Sequence, residues 1–216
     1  MIERVKHRNF YNRALEIFMD EYRRNIKEKG EFSVALSGGN TPKPLFKLLA
    51  EEEIEWKRVH LFMVDERYLP TDHEHSNYGN LCSSLIDRVD IPHKNVKYIK
   101  HLATLEESRT EYQYEVEKFF RENGEGFDLI LLGMGEDGHT ASLFPDNINM
   151  TETVVPSLES DYHKYSRISL GIECINKCRK KVFLLGKNKG KVLEELEHIK
   201  YPASYVVGNI TCLLEE

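Results

Sequence analysis

The chain has 216 residues, 40% apolar and 31% charged, with a formal net charge of -6 at pH 7. That length and balance fit one globular domain over residues 1–216 and exclude a disordered or membrane-embedded chain. The acidic balance argues against bulk attraction to nucleic acid, while leaving room for a local basic pocket.

The first ten residues mix charges and lack the apolar stretch and small-residue cleavage site of a secretory signal, so a cytosolic location is expected. An amphipathic run from Asn9 to Lys29, stopped by Gly30, predicts a helix, and Phe32–Leu36 a short buried strand. The alternation recurs, with a helix over Pro44–Glu53, a strand over Val59–Val64 and a helix over Asn77–Val89. Val96–Ile99 adds a short strand, Leu105–Asn123 a charged helix and Phe127–Leu132 the central strand. Asp146–Lys164 reads as an irregular loop, Arg167–Leu170 and Lys181–Leu185 as strands, and Lys189–His198 as a helix. Strands separated by helices predict an α/β fold: a single-domain, mainly parallel, Rossmann-like layered sheet with helices on both faces.

Cys82, Cys174, Cys178 and Cys212 form neither paired Cys-x-x-Cys motifs nor a disulfide framework and read as reduced thiols. Cys174 and Cys178 could share a helix face, but two further zinc ligands are missing. Asp72, His73 and His75 likewise form an incomplete ligand set, so no metal is expected.

Three loops carry the chemistry. The first strand empties into Ser37-Gly38-Gly39-Asn40-Thr41-Pro42, where two glycines permit a sharp turn and Thr41 before Pro42 suits a helix N-cap. Free amides at a helix N-terminus, with the Ser37 and Thr41 hydroxyls, suit an anion, although a plain capped turn reads the same way. A Walker loop is excluded by the missing Gly-Lys-Ser/Thr. The second strand ends in Asp65-Glu66-Arg67, where Arg67 either faces the crevice or braces the loop against a neighbouring carboxylate. The central strand ends in Gly133-Met-Gly135-Glu-Asp137-Gly138-His139, whose glycines admit a ligand and whose histidine can exchange a proton near neutral pH. The Gly-x-Gly-x-x-Gly spacing there matches a dinucleotide fingerprint, yet it lies past mid-chain and Pro145 stops the following helix, so no nicotinamide or flavin is expected. Arg167 and Lys189 begin or follow later strands and suit a phosphate monoester.

Ser37–Pro42, Asp65–Arg67 with Ser76-Asn77-Tyr78, Gly133–Pro145, Arg167-Ile-Ser169, Gly186-x-x-Lys189 and Tyr201–Ser204 follow the order seen in 6-phosphogluconolactonases, which this chain resembles over nearly its whole length. The wider superfamily also holds glucosamine-6-phosphate deaminase/isomerase, and Thr-Ala-Ser-Leu-Phe-Pro after His139 is similar to the lactonase branch. Gly190 departs from the alanine common in the family after the lysine.

The resemblance implies a NagB/phosphogluconolactonase-type fold and hydrolysis of 6-phospho-D-glucono-1,5-lactone to 6-phosphogluconate in the oxidative pentose phosphate pathway, without cofactor or metal. His139 would act as general base and acid on water, with Asp137 or Asp65 orienting the imidazole. The phosphate would rest on Ser37, Gly38, Gly39, Asn40 and Thr41 with Arg167 and Lys189, and Arg67 would share the pocket. An isomerase or deaminase, with Asp65 or Glu66 as carbon acid base, and a non-catalytic sugar-phosphate sensor stay open. The partner expected is a small sugar phosphate, with neither nucleic acid nor membrane, and assembly of identical chains is left open. All of it requires the Ser37 turn and His139 to share one face.

Overall fold

The computed structural model describes residues 1–148, 151–161, 163–196 and 198–216. In chain order its elements are β1 (Ile2–Val5), α1 (His7–Lys29), β2 (Phe32–Leu36), α2 (Lys43–Leu49), β3 (Val59–Met63), β4 (Asp65–Arg67), α3 (Asn77–Ser84) and β5 (Val96–Lys97). There follow α4 (Leu105–Asn123), β6 (Leu129–Leu132), β7 (Val154–Ser157), β8 (Arg167–Leu170), α5 (Ile172–Lys177), β9 (Lys180–Leu185), α6 (Gly190–Glu195) and β10 (Ile210–Glu215).

Helix α1 buries a stripe of Phe10, Ala14, Ile17, Phe18 and Tyr22, at the spacing that places side chains on one helix face. Gly30 ends it in a left-handed turn, φ 81°, and its amide returns to the Ile26 carbonyl. The chain can then enter β2, whose five residues are all buried because both faces of this central strand are covered. Seven strands form a parallel sheet in the order β1-β10-β9-β6-β2-β3-β5. One cluster of buried apolar side chains runs through it and into a second sheet. Among the described residues no helix is long and apolar enough to cross a membrane.

The second sheet is the main departure from expectation. After Met63 the chain leaves the parallel sheet, and β4 pairs antiparallel with β8, which pairs antiparallel with β7. Arg167–Leu170 is therefore not a further parallel strand, and the stretch expected to be irregular, Asp146–Lys164, contains β7. Asn149, Met150 and Tyr162 of that stretch lie outside the described residues, as does Glu197 of the expected helix Lys189–His198, which here spans Gly190–Glu195. Strands β1 and β10 at one edge were not foreseen either. Three helices are shorter than or shifted from their sequence bounds, with α3 ending at Ser84 and α2 at Leu49.

Glu66 locks the second sheet to α3. Its buried carboxylate accepts hydrogen bonds from the amides of Arg67, Asn77 and Tyr78, each at 2.7 Å, and from the Ser76 hydroxyl at 3.0 Å. Burial pushes this carboxyl above its ordinary range, and these four donors oppose the rise. Glu66→Ala is expected to lower the unfolding free energy by about 3 kcal/mol, because buried donors left unpaired cost about 1–3 kcal/mol each. Urea unfolding measures this, and a loss below about 1 kcal/mol would show the clasp to be dispensable.

Candidate active site

Strands β2 and β6 are neighbours, but the chain proceeds from β2 towards β3 and β5 and from β6 the other way, towards β9 and β10. Such a reversal leaves a crevice outside the carboxyl ends of the two strands. Two cavities open there, of about 110 Å³ and about 180 Å³, and they share Ser37, Gly38, Gly39, Gly133 and Met134 as walls. The smaller adds Asn40, Thr41 and Lys189, and the larger adds Asp65, Arg67, Asn77, His139, Ala141 and Arg167. The Ser37 turn and the imidazole thus share one face, and of the residues that the lactonase resemblance assigned to catalysis or phosphate binding all but Asp137 line one or the other cavity.

The turn is built tightly. The Ser37 amide donates to the Leu131 carbonyl of β6 at 3.1 Å, while the amides of Gly38, Gly39, Asn40 and Thr41 donate to no backbone carbonyl among the described residues. A side chain at Gly38 would put its Cβ 2.4 Å from Asn77 Cγ, so glycine is what lets the turn lie against α3. The expected Thr41 cap is corrected: Pro42 holds the N-cap position and no side chain caps α2. The Lys43 amide instead reaches the Asn40 carbonyl at 3.3 Å, and Pro42 disfavours a helical Thr41 before it.

The loop after β6 closes on itself through the Gly135 amide and the His139 carbonyl, 2.8 Å apart. Asp137 Oδ1 lies 2.5 Å from His139 Nδ1 and accepts the His139 amide at 3.2 Å. A carboxylate only accepts, so Nδ1 carries the ring proton and Nε2 is left as the basic nitrogen. Burial pushes the Asp137 carboxyl up, but the hydrogen bonds and charge of His139 outweigh it and leave the carboxyl below its ordinary value. A Cβ on Gly135 would stand 2.1 Å from His139 Nδ1 and 2.3 Å from Asp137 Oδ1, so the pair exists only beside a glycine.

Asp65, the other candidate partner, accepts the Ser142 hydroxyl at 2.6 Å and lies 4.0 Å from Arg167. Arg67 and Arg167 stand directly opposite each other on β4 and β8, like charges whose repulsion the Asp65 carboxylate beside Arg167 offsets. Arg67 makes no ion pair with Asp65 or Glu66; its guanidinium donates to the His75 carbonyl at 2.6 Å. Lys189 Nζ stands 3.7 Å from the exposed Glu136. Six buried side-chain polar atoms among the described residues have no hydrogen-bond partner, and four of them, Ser37 Oγ, Arg67 Nε, Asn77 Oδ1 and Arg167 Nε, belong to residues lining the larger cavity. Unsatisfied polar atoms so concentrated mark a place for a polar ligand.

Asn77 and Ala141 had no assigned role in the sequence. Asn77 sits in the quoted Ser-Asn-Tyr motif, whereas the left-handed Ala141, φ 52°, has no sequence signal. Among the described residues no three histidine, cysteine, aspartate or glutamate side chains are grouped to hold a metal, and the four cysteines are free thiols.

The chain matches the glucosamine-6-phosphate isomerases/6-phosphogluconolactonase family over residues 6–213. It belongs to that family. It is 37% identical to a 6-phosphogluconolactonase of Synechocystis sp. over 216 residues, covering 94% of this chain and 90% of the relative. It is 36% identical to the 6-phosphogluconolactonase of Thermotoga maritima over 186 residues, covering 85% and 83%. The crystal structure of 6-phosphogluconolactonase from Thermotoga maritima superposes with a TM-score of 0.92 at 31% identity, covering 100% of this chain and 99% of that one. A monomeric glucosamine-6-phosphate deaminase shares the fold, with a TM-score of 0.85 at 19% identity.

Gly135→Ala is expected to remain folded but to push His139 from Asp137. The downfield proton resonance of an imidazole Nδ1–H held on a carboxylate should disappear from its NMR spectrum; its persistence would mean that the loop yields instead.

Proposed function

We propose that the chain hydrolyses 6-phospho-D-glucono-1,5-lactone to 6-phosphogluconate. The observation that carries this reading is the single crevice in which an anion-binding turn and an Asp-oriented histidine lie on adjoining cavities. The family supplies the substrate class, and the match to lactonases favours that branch over deamination. In this reading the 6-phosphate rests on the free amides of the Ser37–Thr41 turn with Lys189 and Arg167, which fixes where C1 lies. The enzyme is cytosolic and acts on a free small molecule.

A lactone is an activated ester, so catalysis needs a held substrate, an activated water and a stabilised oxyanion. His139 Nε2 takes a proton as the water oxygen bonds to C1, and Asp137 stabilises the imidazolium that forms. The C1–ring-oxygen bond of the tetrahedral intermediate then breaks, and His139 returns its proton to the departing oxygen. The product is the open-chain acid, which ionises in water. The cation of Arg67 borders the same cavity as His139 and suits the negative charge that develops.

His139→Ala is expected to lower kcat by about a hundredfold or more, the usual scale of general acid–base catalysis, with little loss of stability. Lys189→Ala should mainly raise KM, by about thirtyfold for a lost charge contact worth about 2 kcal/mol. Both are read against the spontaneous hydrolysis of the lactone. An unaltered kcat in His139→Ala removes the residue from the mechanism, and ammonia release from glucosamine 6-phosphate without lactone turnover would transfer the chain to the deaminating branch.

A further inference from the structure

Asp137 grips the His139 imidazole at one nitrogen, and a ring held at a single atom can still tilt about that contact. A second restraint acts on its flat face. The Phe144 ring packs there with centroids 4.5 Å apart and a 38° tilt. Phe144 is buried, and the His163 ring packs on it in turn at 4.2 Å and 33°. Both imidazoles thus pack on the Phe144 ring, which links the one to the other.

His163 is itself fixed at both nitrogens. Its Nδ1 donates to the Tyr165 carbonyl at 2.7 Å, which leaves Nε2 to accept the Ser157 hydroxyl at 2.9 Å. Paired backbone bonds between Ser160 and His163 close the turn that carries the ring. Burial lowers the His163 pKa from its ordinary value, which favours the neutral ring that these two bonds require. Ser157 lies on β7 directly opposite Arg167 on β8, and the Arg167 guanidinium stands 5.5 Å from the centre of the Phe144 ring. The series of contacts therefore begins on the strand pair that carries Arg167 and ends on the imidazole of His139.

A serine hydroxyl donated to a neutral histidine also resembles a nucleophile and its base. Ser157 and His163 are both buried, however, and neither borders the two cavities of the crevice, so no substrate reaches them. Their available influence is mechanical.

We propose that Phe144, His163 and Ser157 are positioning residues, a stacked column that sets the plane of the His139 imidazole. This rests on the reading of His139 as the general base. Misaligning that base should affect turnover more than substrate capture, because the turn and Lys189 line the adjoining cavity, which the column does not border.

The test is steady-state kinetics on His139→Ala, Phe144→Leu and Ser157→Ala, each checked for folding by thermal melting. Phe144→Leu removes the flat face and should lower kcat by about tenfold or more with KM within about twofold, the scale expected when a reacting group is slightly misplaced. Ser157→Ala keeps every ring and frees only the far end of the column, so a smaller fall in kcat at constant KM is expected. If Phe144→Leu does not fold, Ser157→Ala decides by the same two constants. A folded Phe144→Leu with the parent kcat overturns the proposal, as does a rise in KM at constant kcat. Full activity in His139→Ala would instead sink the general-base reading itself, a result distinct from an inert His139→Ala beside a fully active Phe144→Leu.

Discussion

The structure depends on one topological constraint: neighbouring strands β2 and β6 send their chains to opposite sides of the sheet. Backbone leaving two adjacent strands in opposite directions cannot fill the space between, and the amides of Gly38, Gly39, Asn40 and Thr41 beside it donate to no backbone carbonyl among the described residues. The glycines of both loops are placed where that space must remain narrow. Gly38 admits α3 through Asn77, and Gly135 admits the His139 and Asp137 side chains. Sterics at those two positions are thus as much a part of the site as the charged groups, because a single Cβ would occupy the volume that the polar groups use.

The small antiparallel sheet gives the crevice its second wall. The parallel sheet supplies the turn, Lys189 and the histidine loop, whereas both arginines come from β4 and β8. Glu66 holds β4 to α3, and α3 in turn presses Asn77 against Gly38. The arginine pair is thereby kept in register with the turn on the far side of the cavity. Side chains separated by 100 residues or more in sequence, such as Arg67 and Arg167, meet through a short chain of backbone and carboxylate contacts.

The alternating architecture and the three loops were legible in the sequence because their signals are local: apolar runs of strand length, followed by glycines and a few ionisable groups. Sheet membership is not local. Val59–Val64 runs into Asp65–Arg67 without a break in sequence, and nothing in that run announces that the chain changes sheets after Met63. Strand β7 contains Pro156, which argues against a strand unless it lies on an edge, where β7 is found. Strand β1 is short and carries Glu3 and Arg4, so its pairing with β10 is set by the neighbour rather than by its own pattern. Which acidic residue meets His139 was likewise undecidable from spacing alone. Asp137 does so because Gly135 leaves room for it, while Ser142 and Arg167 engage Asp65.

The facing guanidiniums of Arg67 and Arg167 have a thermodynamic consequence. Like charges opposed across a strand pair repel; the Asp65 carboxylate beside Arg167 offsets that repulsion, and an oxyanion seated between the two arginines would offset it further. Folding and ligation are then linked: any species that seats there selectively in the native state raises the melting temperature in proportion to the logarithm of its concentration. Phosphate or sulfate in a buffer would behave as a weak occupant of this kind, so the stability of the protein is a property of its anionic medium as well as of its sequence.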